Sequence, residues 1–364
     1  MTNEYFVCTR NRPPVKFDLQ EDRPVADAEI AYFIRGFRLL EKAFCFDGYI
    51  VCFAWSSNTP LPVVGKNVIA LIYGDEHCRI PGYANKVAAV IKCHGLFPTY
   101  VPRFRPLRLA QIEMAEFVRN LALWLPNGWR WAFSNSVRNK CHLVPIGYGI
   151  PSSIQPVPMQ KRIYATSFLG SIPQKSSRNW FRSLVGTPKV YCRQAMIAAL
   201  EKLRLILPLN AVYISLTEGF QESLLDAGKV YSEILSQTKV CVAPRGTTHE
   251  TWRLADGLRL GCVVISDKLP RHPFYIGSPI IQIDDWSRLP EIMQRLLDDP
   301  DQLHNIERES LRFWEAHLSE KALAQRYASA LGLRPRYVPQ DCIPKAFDHS
   351  GSSSTATAHS ISTS

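Results

Sequence analysis

With 364 residues, of which 46% are hydrophobic and 21% charged, the chain has an ordinary globular composition and enough length for two domains whose cores need no disulfides or metals. Its formal net charge of +11 and pI of about 9.2 favour an acidic partner, whether a nucleotide diphosphate, an anionic membrane surface or nucleic acid, without choosing among them. No run of about 18 apolar residues is present, so a membrane-spanning helix is not expected.

The first five residues show no basic head followed by an apolar stretch, so no secretory signal is expected and a cytoplasmic location follows, with the inner face of a membrane left open. Residues 49–54 and 68–73 read as buried strands. Residues 86–94 fit either a short helix or a strand, and residues 110–125 carry apolar side chains at helical spacing. The stretch 92–108 interleaves aromatic with basic residues. It reads as a proline-rich loop that could touch an anionic membrane or an acidic acceptor, and it resembles a single-strand nucleic-acid surface in composition only. None of the common nucleic-acid-binding signatures is present, so no nucleic acid partner is expected.

Residues 150–159, rich in proline, mark a linker. Beyond it, strand-like runs at 165–170, 211–216, 240–243, 262–265 and 280–283 alternate with helical runs. Those are at 194–205, from about 229, from about 250, and at 289–297, 301–317 and 320–331. Alternation of this kind predicts mostly parallel sheets with helices on their faces, an α/β fold. From His349 onward the Ser/Thr-rich sequence predicts a disordered tail, 349–364. Ten cysteines are scattered with no Cys-x-x-Cys pair or cluster with histidine, so structural zinc is not expected. Cys52, Cys241 and Cys262 lie inside apolar runs and read as reduced, buried thiols.

The run from Tyr231 to Ser266 predicts helix, strand, tight loop, helix, strand. Pro244-Arg245-Gly246 breaks the strand at its carboxyl end, where open α/β sheets bind ligands. Thr247 could cap the next helix, with Glu250 completing a capping box. Backbone N–H groups freed there would suit a phosphate. Gly246 would let the backbone approach it closely, and Arg245 would add a planar cationic donor set. Glu250, Arg253 and Asp256 share a helix face, and a carboxylate so placed could hold ribose hydroxyls. Gly261 reads as the cap that ends the helix.

Taken in order, Tyr231, Leu235, Val242-Ala243-Pro244-Arg245-Gly246, Thr251-Trp252-Arg253-Leu254, Asp256 and Gly261-Cys262-Val263-Val264-Ile265 resemble the C-terminal signature of exostosin-like glycosyltransferases. Weaker echoes are Phe168-Leu169-Gly170-Ser171 with Arg193 downstream, Leu143-Val144-Pro145-Ile146-Gly147-Tyr148, and Tyr73-Gly74-Asp75-Glu76. The chain departs at Asp256, where the family has the longer Glu.

This resemblance implies a GT-B architecture. Two Rossmann-like domains would face each other across a cleft, an acceptor domain over 1–150 and a nucleotide-sugar donor domain over 160–335. It implies an inverting, metal-independent transfer of sugar from a nucleotide diphosphate to a glycan, lipid-linked or other hydroxyl acceptor, with no cofactor besides that co-substrate. The implied donor-binding set is Gly170, Ser171, Arg178, Arg193, Arg245, Gly246, Thr247, Thr248, Glu250, Arg253 and Asp256. Arg245 would also stabilise the leaving diphosphate. Asp75 or Glu76, with His77 beside them, would serve as general base. A nucleotide-sugar epimerase of the same architecture and a non-catalytic nucleotide-sugar-binding protein are the alternatives.

Overall fold

The computed structural model describes residues 2–9, 12–20, 28–102, 106–151, 153–171, 187–217 and 225–336; the tail 349–364 lies outside them. In the N-terminal half, β1 (Glu4–Cys8), β2 (Val15–Phe17), β3 (Ile50–Ala54), β4 (Val68–Ile72), β5 (Ala89–Lys92) and β6 (Cys141–Leu143) form a sheet in the order β2-β1-β3-β4-β5-β6. β2 pairs antiparallel with β1, and the other neighbours pair parallel. Successive side chains point to opposite faces, and both faces are covered. Val51, Phe53, Ile69, Leu71 and Ile91 pack with α1 (Ala28–Ala43). Cys52, Ala54, Val68, Ile72 and Val90 pack with Trp124 of α2 (Leu107–Phe133) and Val137 of α3 (Asn135–Arg138). Burial on two sides accounts for the unbroken apolar runs of β3 and β4.

The ambiguous stretch 86–94 resolves as a 3-10 turn, Ala84–Lys86, followed by β5. α2 continues to Phe133 through Pro126, beyond the end expected from its periodicity. The indole of Trp124 anchors that part, donating to the Leu96 carbonyl at 2.9 Å and meeting Trp131 edge-on.

In the C-terminal half, β7 (Tyr164–Ser171), β8 (Val212–Thr217), β9 (Thr238–Ala243), β10 (Val263–Asp267) and β11 (Ile281–Ile283) are all parallel, in the order β11-β10-β9-β7-β8. The helices are α4 (Pro188–Ile206), α5 (Leu225–Ser236), α6 (Trp252–Arg259), α7 (Leu289–Leu297), α8 (Pro300–His317) and α9 (Glu320–Leu331). α4 and α7 cover one face through Met196, Leu200, Leu203, Ile292 and Met293, and α6 and α8 cover the other through Leu254, Leu258 and Phe313. The chain leaves β7 for β8 on one side and returns to β9 on the other. That reversal opens a crevice at the carboxyl ends of β7 and β9, the place where such sheets take ligands.

α9 does not stay with the second sheet. It packs on α1, where Tyr327 stacks on Phe37 with ring centroids 4.4 Å apart and Leu323, Ala324 and Ala328 join the N-terminal core. Leu323 and Tyr327 are wholly buried there, which stabilises the contact by about 2 kcal/mol each. Tyr32 donates to the Leu318 carbonyl at 2.8 Å, and Arg35 pairs with Glu320 at 2.7 Å. The outward crossing lies alongside, since the Tyr148 hydroxyl bonds Glu320 and Arg259 lies over the Tyr148 ring at 4.8 Å.

Candidate functional site

At the carboxyl end of β7 three cations converge. Arg253, from the first turn of α6, donates to the Leu169 carbonyl and lies 4.6 Å from the Phe168 ring centre. Arg193 donates from Nη1 to the Ser171 carbonyl, and its buried Nε has no partner among the described residues. Lys189 stands one turn before Arg193 on α4, whose first turn is capped by the Thr187 hydroxyl accepting from the Val190 N–H. Burial, then the neighbouring Arg253, pushes the Arg193 pKa down to about 10. Burial, then Arg193 and Arg253, lowers that of Lys189. Among the described residues no carboxylate forms an ion pair with any of the three. A Cβ at Gly170 would stand 2.6 Å from Arg253 Nη2, so a side chain there would displace that guanidinium.

A narrow cleft lies between the two halves. On the N-terminal side it is lined by Glu76 after β4, His94 after β5, and Glu113, Glu116 and Phe117 of α2. On the C-terminal side Arg245, Thr247, Thr248, His249, Glu250 and His272 face it.

Arg245 stands beyond the end of β9, as its sequence position predicts, but its guanidinium does not project free into the cleft. Nη1 donates to Glu113 at 2.7 Å and Nη2 to Glu116 at 2.6 Å. His249 Nε2 is 3.3 Å from Nη1, and the Arg245 backbone N–H donates to Asp267 at 2.9 Å. Two carboxylates therefore balance the charge expected to meet a diphosphate.

The expected capping box is absent. α6 begins at Trp252, with Thr251 at its cap making no side-chain bond, so the helix starts later than Thr247 would place it. Thr248 instead donates to the Glu250 carbonyl at 3.0 Å, and the Glu250 carboxylate meets His272 Nδ1 at 3.1 Å. A Cβ on Gly246 would meet only ordinary contacts, the nearest being Thr251 at 3.5 Å. Gly261 follows the end of α6 with φ +67, the left-handed conformation that favours glycine.

Asp256 also departs from expectation. It is buried, with Oδ1 accepting from the Gly149 and Ile150 N–H groups at 3.0 and 3.2 Å and Oδ2 accepting from the Tyr231 hydroxyl at 3.0 Å. These donors fix the crossing between the halves and leave the carboxylate no reach to a ribose. Burial pushes its pKa up to about 6 despite the three bonds.

Asp75 is similarly committed. Burial raises its pKa, but Lys92 at 3.4 Å, the Ser57 hydroxyl and Arg79 at 3.1 Å outweigh that and hold it well below the usual carboxylate range. Both of its oxygens are taken by these partners and it does not line the cleft, which argues against Asp75 as general base. Glu76 remains on the cleft wall. His77 does not line the cleft, and Arg178 lies outside the described residues.

Sequence reasoning passed over several residues. Lys189 was discoverable: it precedes Arg193 by one helical turn, just after a Thr-Pro helix start. Glu113 and Glu116 carry no local signal for a partner on another sheet. Burial, chiefly, lowers the pKa of His94, whose Nδ1 has no partner among the described residues.

No protein-family model matches the chain, and no curated protein does. Solved structures match at low identity. The GtfA/B complex is 10% identical with a TM-score of 0.41, over 74% of this chain and 57% of that one. An S. aureus TarM mutant in complex with fondaparinux, α-GlcNAc-glycerol and UDP is 8% identical with a TM-score of 0.41, over 88% and 60%. The pneumococcal O-GlcNAc transferase GtfA in complex with UDP and GlcNAc is 12% identical with a TM-score of 0.39, over 82% and 59%. The chain thus spans about three fifths of the length of these structures.

Proposed function

We propose that this chain is a glycosyltransferase that moves a sugar from a nucleotide diphosphate sugar to an acceptor hydroxyl. The observation that carries this reading is the cluster of Lys189, Arg193 and Arg253, none of which forms an ion pair with a carboxylate among the described residues, at the switch point between β7 and β9. Three buried or half-buried cations held beside one another cost stability in the empty protein. A diphosphate would offset that cost and accept charge-assisted hydrogen bonds from all three.

In this reading the donor lies on the C-terminal half and the acceptor enters from the N-terminal half. The acceptor oxygen attacks the anomeric carbon, the bond from that carbon to the diphosphate oxygen breaks, and the diphosphate leaves with the electron pair. The cation cluster stabilises the charge that develops on it, in the role a divalent ion fills elsewhere. Glu76, on the cleft wall and within electrostatic reach of Lys189, takes the hydroxyl proton and leads to inversion. Arg245, already balanced by Glu113 and Glu116, shapes the loop that borders the donor. The exostosin-like resemblance supports this assignment over residues 231–266.

Calorimetric titration with nucleoside diphosphates tests the donor site, and transfer of labelled sugar to an acceptor pool tests the reaction. Binding with sub-millimolar affinity and acceptor-dependent transfer that survives a chelator are expected. A new nucleotide sugar formed without acceptor would identify an epimerase instead. Binding with no turnover would identify a binding protein.

A further inference from the structure

We propose that the acceptor is a neutral saccharide and that one of its rings stacks on Trp55. The inference rests on the transferase reading above and adds to it the class of acceptor. Trp55 directly follows β3 at the carboxyl edge of the N-terminal sheet, the edge from which Glu76 reaches the cleft. Its backbone is held in the sheet: its N–H donates to the Cys8 carbonyl at 3.4 Å, and its carbonyl accepts from the Gly74 N–H at 2.9 Å. The side chain nevertheless stays 43% exposed. The indole lies face-on over Gly74. A Cβ there would stand 2.7 Å from Cδ2 and 2.8 Å from both Cε2 and Cε3, so a side chain at that position would displace the ring. Tyr73 stands nearly perpendicular to it, with ring centroids 5.4 Å apart.

Glu76 comes two residues after Gly74, and its N–H donates to the Gly74 carbonyl at 3.1 Å. Two residues span at most about 7 Å, so one sugar ring can touch both the indole and the proposed base. Asp75 ties the two turns together. Oδ2 accepts from the Ser57 N–H at 3.3 Å and from the Ser57 hydroxyl, and Oδ1 accepts from the His77 N–H at 3.3 Å. The turn after Trp55 is closed by Thr59, which donates to the Ser56 carbonyl at 2.9 Å and accepts from the Ser56 N–H at 3.1 Å through its hydroxyl. The buried Asp75 therefore fixes the aromatic ring relative to Glu76. The face of an aromatic ring is electron-rich, and the C–H face of a pyranose complements it. Hydroxyls at the sugar's rim find Asn58, exposed in the same turn, and Glu76. A lipid chain offers neither group a hydrogen-bond partner. An acidic sugar or a phosphate would bring a second negative charge beside Glu76, which favours a neutral ring.

The test uses the full chain with cellotetraose, maltotetraose and chitotetraose, and with a galacturonic acid tetrasaccharide and a polyprenyl phosphate as contrasting arms. Saturation-transfer NMR without donor should show binding of at least one neutral tetrasaccharide, lost in Trp55→Ala and kept in Trp55→Phe. With radiolabelled nucleotide sugar, Trp55→Ala should raise the KM for that acceptor at least about tenfold, far more than it lowers kcat, and Trp55→Phe should recover most of the loss. Nucleoside diphosphate affinity and circular dichroism should be the same in all three proteins. An unchanged KM in Trp55→Ala, no binding of any neutral tetrasaccharide, or preference for the galacturonic acid or polyprenyl phosphate arm would overturn the proposal while leaving the donor site standing. A wild type that binds no nucleoside diphosphate would instead overturn the transferase reading, and the acceptor role of Trp55 with it.

Discussion

Arg245 and Glu113 form an ion pair of 2.7 Å between residues 132 apart in sequence, with both side chains almost wholly buried. The pair fastens the loop after β9 to the helix that connects β5 with β6. It therefore makes one wall of the cleft from both halves of the chain.

Removing Glu113 leaves a buried guanidinium with Glu116 as its remaining ion-pair partner among the described residues. Glu113→Ala should lower the unfolding free energy by about 3 kcal/mol, read from denaturant titration. A loss below about 1 kcal/mol would mean that water or Glu116 compensates fully and that the pair does not hold the wall.

The cation cluster predicts the opposite pattern. Arg193→Ala should weaken nucleoside diphosphate binding at least about tenfold by calorimetry, the loss expected for a charge-assisted bond. The ligand-free melting temperature should hold or rise, because a like charge beside Arg253 is gone. Gly170→Ala, by displacing the Arg253 guanidinium, should weaken binding in the same assay. A structural role for Arg193 would show the reverse, with lost stability and unchanged affinity.

Adjacent acidic residues should separate by phenotype. Glu76→Gln should cut turnover about a hundredfold or more while leaving diphosphate affinity unchanged. Asp75→Asn should chiefly destabilise the fold, because it strips the buried Lys92 of its charge partner. Asp75 has a folded pKa below its unfolded value, so the stability it contributes is present above the unfolded pKa and is lost as pH falls below about 4. That acid-side loss should be smaller in Asp75→Asn. Full transfer activity in Glu76→Gln would refute its role as base.

Asp256 should show the other sign. Its folded pKa of about 6 exceeds the unfolded value of 3.8, so the folded protein holds this proton more tightly. Stability contributed by the protonated form is full below the unfolded pKa and is lost as pH rises through about 6. Asp256→Asn keeps an acceptor for the Gly149 and Ile150 N–H groups and carries no charge. It should flatten the decline between pH 4 and 6 in urea titrations. An undiminished decline would assign the effect to other groups.

The second sheet was largely legible in the sequence because its strands are buried on both faces and read as continuous apolar runs. β9 and β10 are examples. β1, β2 and α1 were passed over: the strands are short, and α1 mixes Arg35, Arg38, Glu41 and Lys42 into its apolar positions. In the site, sequence order placed Arg245 and Gly170 at strand ends, and Arg193 just before the helix expected at 194–205 rather than within it. It could not reveal that Arg245 meets Glu113 and Glu116, or that Asp256 is consumed by backbone donors at residues 149 and 150. Such pairings join residues more than 100 positions apart and leave no periodic trace.

The return of α9 to α1 bears on how the protein comes off the ribosome. The N-terminal sheet is complete in sequence once β6 has been made, yet Phe37 and Gly36 still lack the Tyr327 and Leu323 side chains that cover them. That apolar surface stays open while the whole second sheet is synthesised, a delay of tens of seconds at ordinary elongation rates. The nascent chain therefore offers a binding surface to chaperones over that interval, and it closes only when the residues up to Leu331 have emerged.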